Sequence, residues 1–476
     1  MNIVIVGAGR VGESVAESLV SERNDITVID IDPVRLAVLQ DRLDLRGFTG
    51  NGVLPSVLGE AGAADCDLLI ACAPLDETNL VVCKLAHDLY NVPTTIARLR
   101  SPEFAEGGGV LGKDSGFAVD EVICPEASVT AYIRKLIEYP EALQVLEFAG
   151  GLVSLIAVRA IHGGPLVRHS LAEIPQLVPG IDMRIVAIYR GMKHVPVDGD
   201  TRIEPGDEVF VLAATEHIRT VLGALREMDE PVRRVMIAGG GRVGLRLARL
   251  IQGSHQAKII EADRKRCDYL ATQLPSTCLV LHGDSTDEDL MDDENVREMD
   301  LFLALTSDDE DNIMACLLAK RLGAKRVLAL INRRAYADLM QGTTIDIALS
   351  PSHAVIGELL AHVRRGDVEA VHSLRRGVAE ALEVVAHGDA KSSKVVGRRV
   401  EQIGLPRGVQ IGAIVRGLEA PAEGGVESDA ARAAPRVLMA HHDTVIESDD
   451  HVIVFVPRKR MLREVERLFQ VGATFF

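Results

Sequence analysis

Residues 1–12 read MNIVIVGAGRVG, a short apolar run that leads directly into three glycines with the spacing G-x-G-x-x-G. The run predicts a buried strand, and the glycines predict a tight turn into a helix. In such a turn the second glycine lets a phosphate approach the backbone, and the third lets helix and strand pack closely. Asp30 ends the next predicted strand, where a carboxylate accepts hydrogen bonds from an adenosine ribose and disfavours a 2′-phosphate. The pattern therefore predicts a cleft for NAD(H) rather than NADP(H).

The same pattern occurs a second time in the chain. Residues 234–244 read RVMIAGGGRVG, and Glu261 stands where Asp30 stands in the first copy. Further landmarks recur in the same order and at nearly the same offset, namely TVIDID at 27–32 with KIIEAD at 258–263, Gly50-Asn51 with Gly283-Asp284, and DETN at 76–79 with DEDN at 309–312. This regularity predicts a tandem duplication with two nucleotide-binding clefts.

Each copy alternates short apolar runs with segments of helical period. In the first copy the predicted strands are residues 2–6, 26–30, 67–72 and 94–98. They are apolar almost throughout, as is typical of a parallel sheet covered on both faces. The βαβαβ alternation predicts an α/β fold with a Rossmann-like doubly wound sheet in each repeat, followed by a smaller α+β lobe.

We predict the following segments: a Rossmann-like domain at 1–124, a crossover helix at 125–142, a small α+β lobe at 143–228, a second Rossmann-like domain at 232–351, a crossover helix at 352–368, and a second small lobe at 369–468. Residues 418–436 include an Ala/Gly/Glu-rich stretch without a counterpart in the first copy, which predicts a surface loop. Each crossover helix has an apolar stripe, which packs either on its own domain or against another lobe or chain.

Further polar groups are expected where the later strands of each sheet end. The predicted first site comprises Gly7, Ala8, Gly9, Arg10, Val11, Gly12, Asp30, Asn51, Ala73, Pro74 and Arg98. The predicted second site comprises Gly239, Gly240, Gly241, Arg242, Val243, Gly244, Glu261, Asp284, Thr306 and Ser307. Thr306 and Ser307 offer hydroxyl groups where the first repeat has none, and Arg98 corresponds to an apolar residue, Leu330 or Ile331. The two sites are therefore not expected to be equivalent.

The composition excludes several classes of protein. The 476 residues include 52 Lys and Arg against 69 Asp and Glu, and the net charge of −17 disfavours binding to nucleic acid. No apolar run approaches the roughly 20 residues that span a bilayer, and the first residues lack the pattern of a secretory signal. The seven cysteines are scattered without a C-x-x-C pair, as expected of buried thiols in a reducing cytoplasm.

Candidate metal and catalytic sites are weak. The sequence His441-His442-Asp443 with His451 is interpreted as solvated surface, since adjacent side chains on a strand point apart. The acidic runs at 292–294 and 308–311 are interpreted as first turns of helices rather than cation sites. No Ser/His/Asp set, H-E-x-x-H sequence or phosphate-binding Walker sequence is present, so no metal and no catalytic residue are predicted.

Four stretches carry a resemblance to a known family: GAGRVGESVAESLVSERNDITVIDID at 7–32, SDDEDNIMACLLAKRLGAKRV at 307–327, RRAYADLMQGTTIDIALSP at 333–351 and SLRRGVAEALEVVAHGD at 373–389. With the duplicated layout, they resemble the TrkA family, the peripheral NAD-binding subunits of bacterial Trk potassium-uptake systems. The resemblance covers essentially the whole chain outside 418–436. It implies two regulator-of-potassium-conductance (RCK) modules, each with a Rossmann lobe and a smaller C-terminal lobe.

The resemblance also implies a biological setting. The chain is expected to form a cytoplasmic assembly, a dimer or tetramer, at the inner face of the plasma membrane beneath a TrkH- or TrkG-like potassium-translocating subunit. NAD⁺ or NADH, and in some members ATP or ADP, is expected to change the shape of that assembly without a chemical step. Two alternatives are a soluble NAD-dependent oxidoreductase and a scaffold with vestigial pockets.

Overall fold

The computed structural model describes residues 1–20, 24–101, 103–104, 109–113, 116–191, 193–340, 344–363, 367–374, 378–418 and 434–470. The first repeat begins with a parallel sheet of six strands in the order β3-β2-β1-β4-β5-β6. Its strands are β1 Asn2–Val6, β2 Asp25–Asp30, β3 Arg46–Thr49, β4 Leu68–Ala71, β5 Thr94–Arg98 and β6 Glu121–Ile123. Its helices are α1 Arg10–Val20, α2 Pro33–Arg42, α3 Pro55–Glu60 and α4 Asp76–Tyr90, and the crossover helix α5 Pro125–Glu138 follows.

The small lobe of the first repeat is an antiparallel sheet in the order β10-β9-β11-β8-β7. Its strands are β7 Ala142–Phe148, β8 Val153–Arg159, β9 Met183–Arg190, β10 Lys193–Val195 and β11 Glu208–Ala214. Its helices are α6 Ile174–Leu177 and α7 Ile218–Leu225. The buried face of α7 and one face of the sheet form a core of aliphatic side chains.

The second repeat rebuilds the parallel sheet in the order β14-β13-β12-β15-β16-β17. Its strands are β12 Arg234–Ala238, β13 Gln256–Glu261, β14 Leu279–His282, β15 Leu301–Ala304, β16 Arg326–Leu330 and β17 Ile347–Leu349. Its helices are α8 Arg242–Ile251, α9 Arg264–Gln273, α10 Glu288–Asp293, α11 Asp309–Leu322, α12 Arg334–Met340 and the crossover helix α13 Pro351–Val363. In both repeats the fourth strand is buried along its whole length, which explains its unbroken apolar sequence.

The second small lobe is an antiparallel sheet in the order β18-β19-β22-β20-β21. Its strands are β18 Val368–Leu374, β19 Ala379–Ala386, β20 Gln410–Arg416, β21 Arg436–Met439 and β22 Asp450–Val456, and the helix α14 spans Leu462–Phe469. Most of the predicted loop at 418–436 lies outside the described residues. The strands on either side of it are antiparallel neighbours, with Arg416 opposite Arg436. The predicted fold class, with two parallel Rossmann-like sheets and a smaller lobe in each repeat, is confirmed.

The chain divides into two compact units that do not follow the repeats. One unit contains both parallel-sheet lobes, at 1–131 and 233–363, and the other contains both small lobes, at 132–232 and 364–476. In the first unit α1 packs against α13, the crossover helix of the other repeat. The hydroxyl of Ser128, on α5, donates a hydrogen bond of 2.7 Å to Glu358 on α13. Helix α13 thus contacts a lobe of the other repeat, one of the two arrangements that its apolar stripe allowed.

In the second unit the two antiparallel sheets share one apolar core. Phe148 and Leu212 of the first small lobe belong to the same buried cluster as Ala413 and Phe455 of the second. Gly412 lies at this junction, at an irregularity in the pairing of β20 with β22. A Cβ atom at Gly412 would be 2.2 Å from Cδ1 of Leu212, so the sheets approach closely because this position has no side chain.

Three sequence interpretations need correction. His441 and His442 lie in a loop after β21 rather than on a strand, and His451 is buried on β22, not solvated. The acidic pair Asp292 and Asp293 ends α10 instead of beginning a helix. By contrast, the run at 308–311 does begin α11, with Asp308 as its N-cap. Among the described residues no group of His, Cys, Asp or Glu side chains is arranged to hold a metal ion.

The described helices are all too short or too polar to cross a bilayer.

We expect Gly412→Ala to destabilise the chain by about 1–3 kcal/mol, because the added methyl group overpacks the junction between the two sheets. Gly404→Ala is the matched control, since a Cβ atom there meets nothing within 4 Å. It should change the free energy of unfolding by at most about 1 kcal/mol. Urea denaturation of both variants measures the difference, and equal stability would contradict a close approach at Gly412.

The buried pair His451 and Glu383 predicts a pH dependence of stability. His451 Nδ1 lies 2.7 Å from Oε1 of Glu383, whose other oxygen accepts a hydrogen bond of 2.8 Å from the backbone N–H of Ala149 in the first small lobe. The hydrogen bond to Glu383 raises the pKa of His451 above its usual value. This stabilisation is therefore complete below pH about 6.5, the pKa of an unfolded histidine, and is lost as the pH rises through the folded-state pKa.

Thermal unfolding between pH 5.5 and 9 tests this expectation. The difference in melting temperature between the wild type and His451→Gln should be largest at the acidic end and shrink as the pH rises. The same substitution at the exposed His442 is the control and should leave the wild-type profile intact. A difference that grows with pH would contradict the proposed charge state of the pair.

Candidate functional site

Each parallel sheet has a crevice where its strand order reverses. In the first sheet β1 lies between β2 and β4, so the connections from β1 and from β4 run in opposite directions across the sheet. The second sheet repeats this arrangement at β12 and β15. In open α/β sheets, ligands bind outside the carboxyl ends of the strands at this point. Both predicted glycine turns begin there, directly after β1 and β12.

The first glycine turn brings the start of α1 against the end of β1. Gly7 has φ +109°, a left-handed conformation, and a Cβ atom on it would be 2.9 Å from the carbonyl carbon of Cys72. A Cβ atom on Gly12 would be only 1.9 Å from the carbonyl oxygen of Gly7. Gly9, in contrast, faces open space, since nothing lies within 4 Å of a Cβ atom built on it. The turn is therefore tight on the protein side and open where a ligand would approach.

The second turn has the same geometry. Gly239 has φ +101°, a Cβ atom on Gly244 would be 2.1 Å from the carbonyl oxygen of Gly239, and Gly241 faces open space. The two turns differ at their second residue, which is Ala8 in the first and Gly240 in the second. A Cβ atom on Gly240 would be 2.2 Å from Cδ1 of Leu270, so a methyl group like that of Ala8 would not fit without a shift of Leu270.

The helices that follow the turns place the predicted basic residues at the cleft entrance. Arg10 begins α1 and Arg242 begins α8, and both are exposed. Val11 and Val243 follow them and are half-buried. The free N–H groups at these helix starts and the positive end of each helix dipole favour a phosphate.

The two predicted acids lie directly beside the glycine turns. Asp30 accepts hydrogen bonds from the backbone N–H groups of Ala8, at 2.6 Å, and of Asp32, at 2.8 Å. Glu261 does the same for Gly240, at 2.8 Å, and Asp263, at 2.9 Å. Each carboxylate oxygen keeps a free lone pair, so both acids hold the turn in place and can still accept from a ribose hydroxyl.

The third strand of each sheet ends beside the acid. The N–H of Gly50 donates to the carbonyl of Asp30 at 2.9 Å, and the exposed Asn51 follows. Asp284, its counterpart, is also exposed and accepts hydrogen bonds of 2.8 Å from the backbone N–H and the hydroxyl of Thr286. These bonds lower the pKa of Asp284. The structure therefore places Asn51 and Asp284 at the same edge as the acids.

A buried asparagine fixes the floor of the first cleft. Asn79 accepts a hydrogen bond of 2.7 Å from the N–H of Ala73, and its amide donates to the carbonyl groups of Ala73 and Arg98. It thereby joins the ends of β4 and β5. Pro74 follows as an exposed residue. Ala73 and Pro74 thus follow β4 at this edge of the sheet and offer no side-chain hydroxyl group.

Asn312 has the same role in the second cleft. Its side-chain oxygen accepts a hydrogen bond from the N–H of Thr306, and its amide donates to the carbonyl groups of Thr306 and Leu330. Since Asn79 donates to the carbonyl of Arg98 in the first cleft, Leu330 is the counterpart of Arg98. The hydroxyl of Thr306 lies 2.7 Å from Oδ1 of Asn312, to which it donates. The hydroxyl of Thr306 is therefore already hydrogen-bonded within the protein, whereas Ser307 is exposed.

Arg98 gives the first cleft a positive group at the position where the second cleft has Leu330. Its guanidinium lies 3.6 Å from Oε1 of Glu126, and the guanidinium of Arg100 lies 3.7 Å from the same atom. The Nε atoms of both arginines are buried without a hydrogen-bond partner in the described part of the chain. Burial, aided by the nearby charge of Arg98, lowers the pKa of Arg100. One carboxylate thus faces two guanidinium groups, which leaves donors for an anion.

Sequence reasoning missed several residues at these clefts. Asn79 and Asn312 were recognised only as repeat landmarks, and Glu126 was not singled out within the predicted crossover helix. Arg266 was not considered at all, although its Nε donates a hydrogen bond of 2.8 Å to the carbonyl of Gly240 and its guanidinium lies 4.8 Å from the ring centre of Tyr269. The basic sequence DRKRC at 263–267, one residue after Glu261, was the available signal for Arg266.

The arrangement fits a dinucleotide. The open faces of Gly9 and Gly241 leave room for a pyrophosphate at the helix starts, and Asp30 and Glu261 stand where an adenosine ribose would lie. Nothing in the described clefts pairs a nucleophile with a base, and the thiol closest to the first turn, Cys72, has a pKa raised by burial to about 12.

The sequence matches known families over both repeats. The model of the TrkA-N domain matches residues 3–125 and 235–351, and that of the TrkA-C domain matches residues 155–226. The Trk system potassium uptake protein TrkA of Halomonas elongata is 52% identical over 476 residues, with both chains covered completely. Those of Vibrio alginolyticus and Haemophilus influenzae are 48% and 44% identical, again with both chains covered completely.

The chain belongs to the TrkA family.

Solved structures agree with this assignment at the level of the fold. The crystal structure of the GsuK RCK domain has a TM-score of 0.59 and 16% identity, and the alignment covers 98% of this chain and 94% of that chain. The GsuK channel bound to NAD also has a TM-score of 0.59, with 98% of this TrkA-family chain and 78% of that chain covered. The tandem Rossmann-like architecture is thus an RCK architecture.

Substitutions at two glycines of each turn should affect folding and ligand binding separately. Gly12→Ala is expected to destabilise the protein by about 1–3 kcal/mol, because its methyl group would overlap the carbonyl of Gly7. Gly9→Ala should leave the melting temperature within about 2 °C of the wild type, yet weaken NADH binding, since its methyl group points into the space for the pyrophosphate.

Thermal unfolding without nucleotide and NADH fluorescence titration provide the two measurements. Gly244→Ala and Gly241→Ala form the matched pair in the second turn. If Gly9→Ala and Gly241→Ala together bind NADH as tightly as the wild type, the dinucleotide does not lie on these turns.

Proposed function

We propose that this chain is the nucleotide-sensing regulatory subunit of a Trk-type potassium uptake system. NAD(H) binds in the two glycine-turn clefts, and the resulting conformational change gates a TrkH- or TrkG-like membrane subunit. The chain acts on the cytoplasmic side of the plasma membrane, associated with that subunit and with further copies of itself. The names of the relatives and the GsuK channel bound to NAD support this proposal.

The packing of α1 against α13 is the observation that carries the proposal. Helix α1 begins at the first glycine turn, so a dinucleotide there is held by the N–H groups at its start. The same helix contacts the crossover helix of the other repeat. The other crossover helix, α5, joins α13 through Ser128 and Glu358. A ligand that moves α1 by a fraction of an ångström therefore acts on both crossover helices.

Helix α5 extends this coupling along the chain. Its first residues belong to the unit of parallel sheets, and from Tyr132 onward it belongs to the unit of small lobes. Tyr132 is half-buried and donates a hydrogen bond of 3.2 Å to the carbonyl of Leu143 on β7. Helix α5 thus runs from the first unit into the second as one continuous helix.

The energetic requirement is modest. A ligand shifts a conformational equilibrium only when it binds the two states with different affinity. A tenfold difference corresponds to about 1.4 kcal/mol per cleft, so two occupied clefts shift the balance between the two states about a hundredfold. Clefts of several chains in an oligomer add to this shift.

The two clefts differ in the nucleotides that their charged side chains favour. Asp30 and Glu261 favour an unphosphorylated ribose and therefore NAD(H) in both. The guanidinium pair Arg98 and Arg100 makes the first cleft the better site for a nucleotide with a terminal phosphate, such as ATP or ADP. The second cleft has Leu330 in place of Arg98 and no such pair, so these nucleotides should discriminate between the clefts.

Potassium flux tests the proposal. The membrane subunit of the same system is reconstituted in vesicles with this chain, and uptake is measured with NAD⁺, NADH, ATP or no nucleotide. Asp30→Asn with Glu261→Gln keeps the shape of both side chains but removes the charge that holds the ribose. We expect this double variant to lose at least about tenfold in NADH affinity and the nucleotide dependence of uptake.

Asp25→Asn is the matched control, since Asp25 is exposed at the opposite end of the strand that Asp30 ends. It should bind NADH and support uptake like the wild type. Uptake that no nucleotide changes would overturn the proposal. Sustained oxidation of NADH in the presence of small alcohols or hydroxy acids would instead favour an oxidoreductase.

A further inference from the structure

A cavity of about 680 Å³ lies within the unit of small lobes. One wall is the segment that leads into β9 in the first small lobe, with the apolar side chains of Ile174, Pro175, Val178 and Ile181. Residues of the second small lobe complete the lining. Its volume lies in the range of pockets that bind small molecules, and it opens to solvent on one side.

Two polar groups in this cavity have unused hydrogen-bonding capacity. Arg184 is half-buried, and its guanidinium donates no hydrogen bond to any residue that the structure describes; its one charged neighbour is Asp182. Oε1 of Gln410, at the start of β20, is buried and accepts no hydrogen bond from the described residues. Buried polar groups without partners are rare in folded proteins and commonly mark a place for a ligand or ordered water.

The acidic groups in the cavity are already engaged. Oδ1 of Asp182 lies 3.2 Å from Nε2 of His441, a contact that joins the two small lobes. Asp198 accepts hydrogen bonds from the N–H of Asp200 and the hydroxyl of Thr201. The polar groups that remain available for a ligand are therefore the N–H donors of the Arg184 guanidinium and the side-chain carbonyl oxygen of Gln410. Both lie beside the apolar wall.

We propose that this cavity binds a small organic anion with an apolar body. Its acidic group, a carboxylate, sulfonate or phosphate, pairs with Arg184, and an N–H or O–H of the ligand donates to Oε1 of Gln410. The apolar part lies against Ile174, Pro175 and Ile181. A guanidinium recognises such an anion through two parallel hydrogen bonds, which fixes the orientation of the ligand.

The site has a consequence for the small lobes themselves. Arg184 lies on β9 of the first small lobe, whereas Gln410 belongs to the second, so the ligand bridges them. It therefore stabilises the packing of the two small lobes against each other, as any ligand does that binds only the folded arrangement. This effect is separate from nucleotide binding, since none of the cavity residues belongs to the glycine-turn clefts.

The test uses the aromatic anion 8-anilinonaphthalene-1-sulfonate, which has a sulfonate, one N–H and an apolar body. Its binding to the full chain is followed by fluorescence and calorimetry in saturating NADH, so that the nucleotide clefts are blocked. We expect one site per chain, with Arg184→Gln weakening binding about tenfold or more, the loss expected for a hydrogen bond to a charged group. Arg159→Gln, at an exposed position on β8, is the matched control and should change the affinity less than twofold.

Gln410→Glu provides a second variant of nearly the same shape. Its carboxylate repels the sulfonate, so it should also weaken binding, while Arg184→Lys retains a positive charge and should weaken it less than Arg184→Gln. NADH binding reports on the fold of each variant. The proposal is overturned if saturating NADH abolishes the site, or if Arg184→Gln and Gln410→Glu bind the probe like Arg159→Gln.

Discussion

The contact between the carbonyl oxygen of Gly7 and the backbone of Gly12 governs the first cleft. A side chain at Gly12 would have to occupy the volume of that oxygen, so its absence lets α1 start directly against the end of β1. The N–H groups at the start of α1 are thereby held at the edge where the strand order reverses. The carboxylate of Asp30 then fixes the turn through Ala8. The second repeat has the same contact between Gly239 and Gly244. In both repeats, therefore, the helix can start directly against the strand only if this position is glycine.

The same contact connects the cleft to the rest of its unit. Since α1 lies close to the sheet, its outer face remains available to α13, and the two repeats share one compact unit through that pairing. The start of α1 therefore borders the cleft, and the same helix contacts α13 at the junction between the repeats. The helix that begins at the first glycine turn is therefore also the helix that contacts the second repeat.

The sequence predicted the features that depend on local patterns. The apolar run before Gly7, the spacing of the glycines and the acid at Asp30 are local signals, and the structure brings these residues together at one edge of a parallel sheet. The recurrence of these signals in the second half of the chain predicted the second Rossmann-like lobe. Contacts between residues far apart in the chain leave no such signal, because burial depends on what packs from elsewhere. His451 was predicted to be solvated, but it is buried beside Glu383, which accepts a hydrogen bond from Ala149 of the other small lobe. The hydrogen bonds of Asn79 and Asn312 likewise depend on the end of a neighbouring strand.

The tandem arrangement also has an evolutionary consequence. When two identical subunits meet across a twofold axis, every substitution appears on both sides of the interface. Here the paired halves are encoded in one chain, so each can change alone. Arg98 faces Glu126 in one half while Leu330 holds the corresponding place in the other, a difference that a symmetric pair of single-repeat chains could not maintain. Fusion thus releases one cleft from the selection that acts on its twin, and lets the two clefts of a single polypeptide present different side chains.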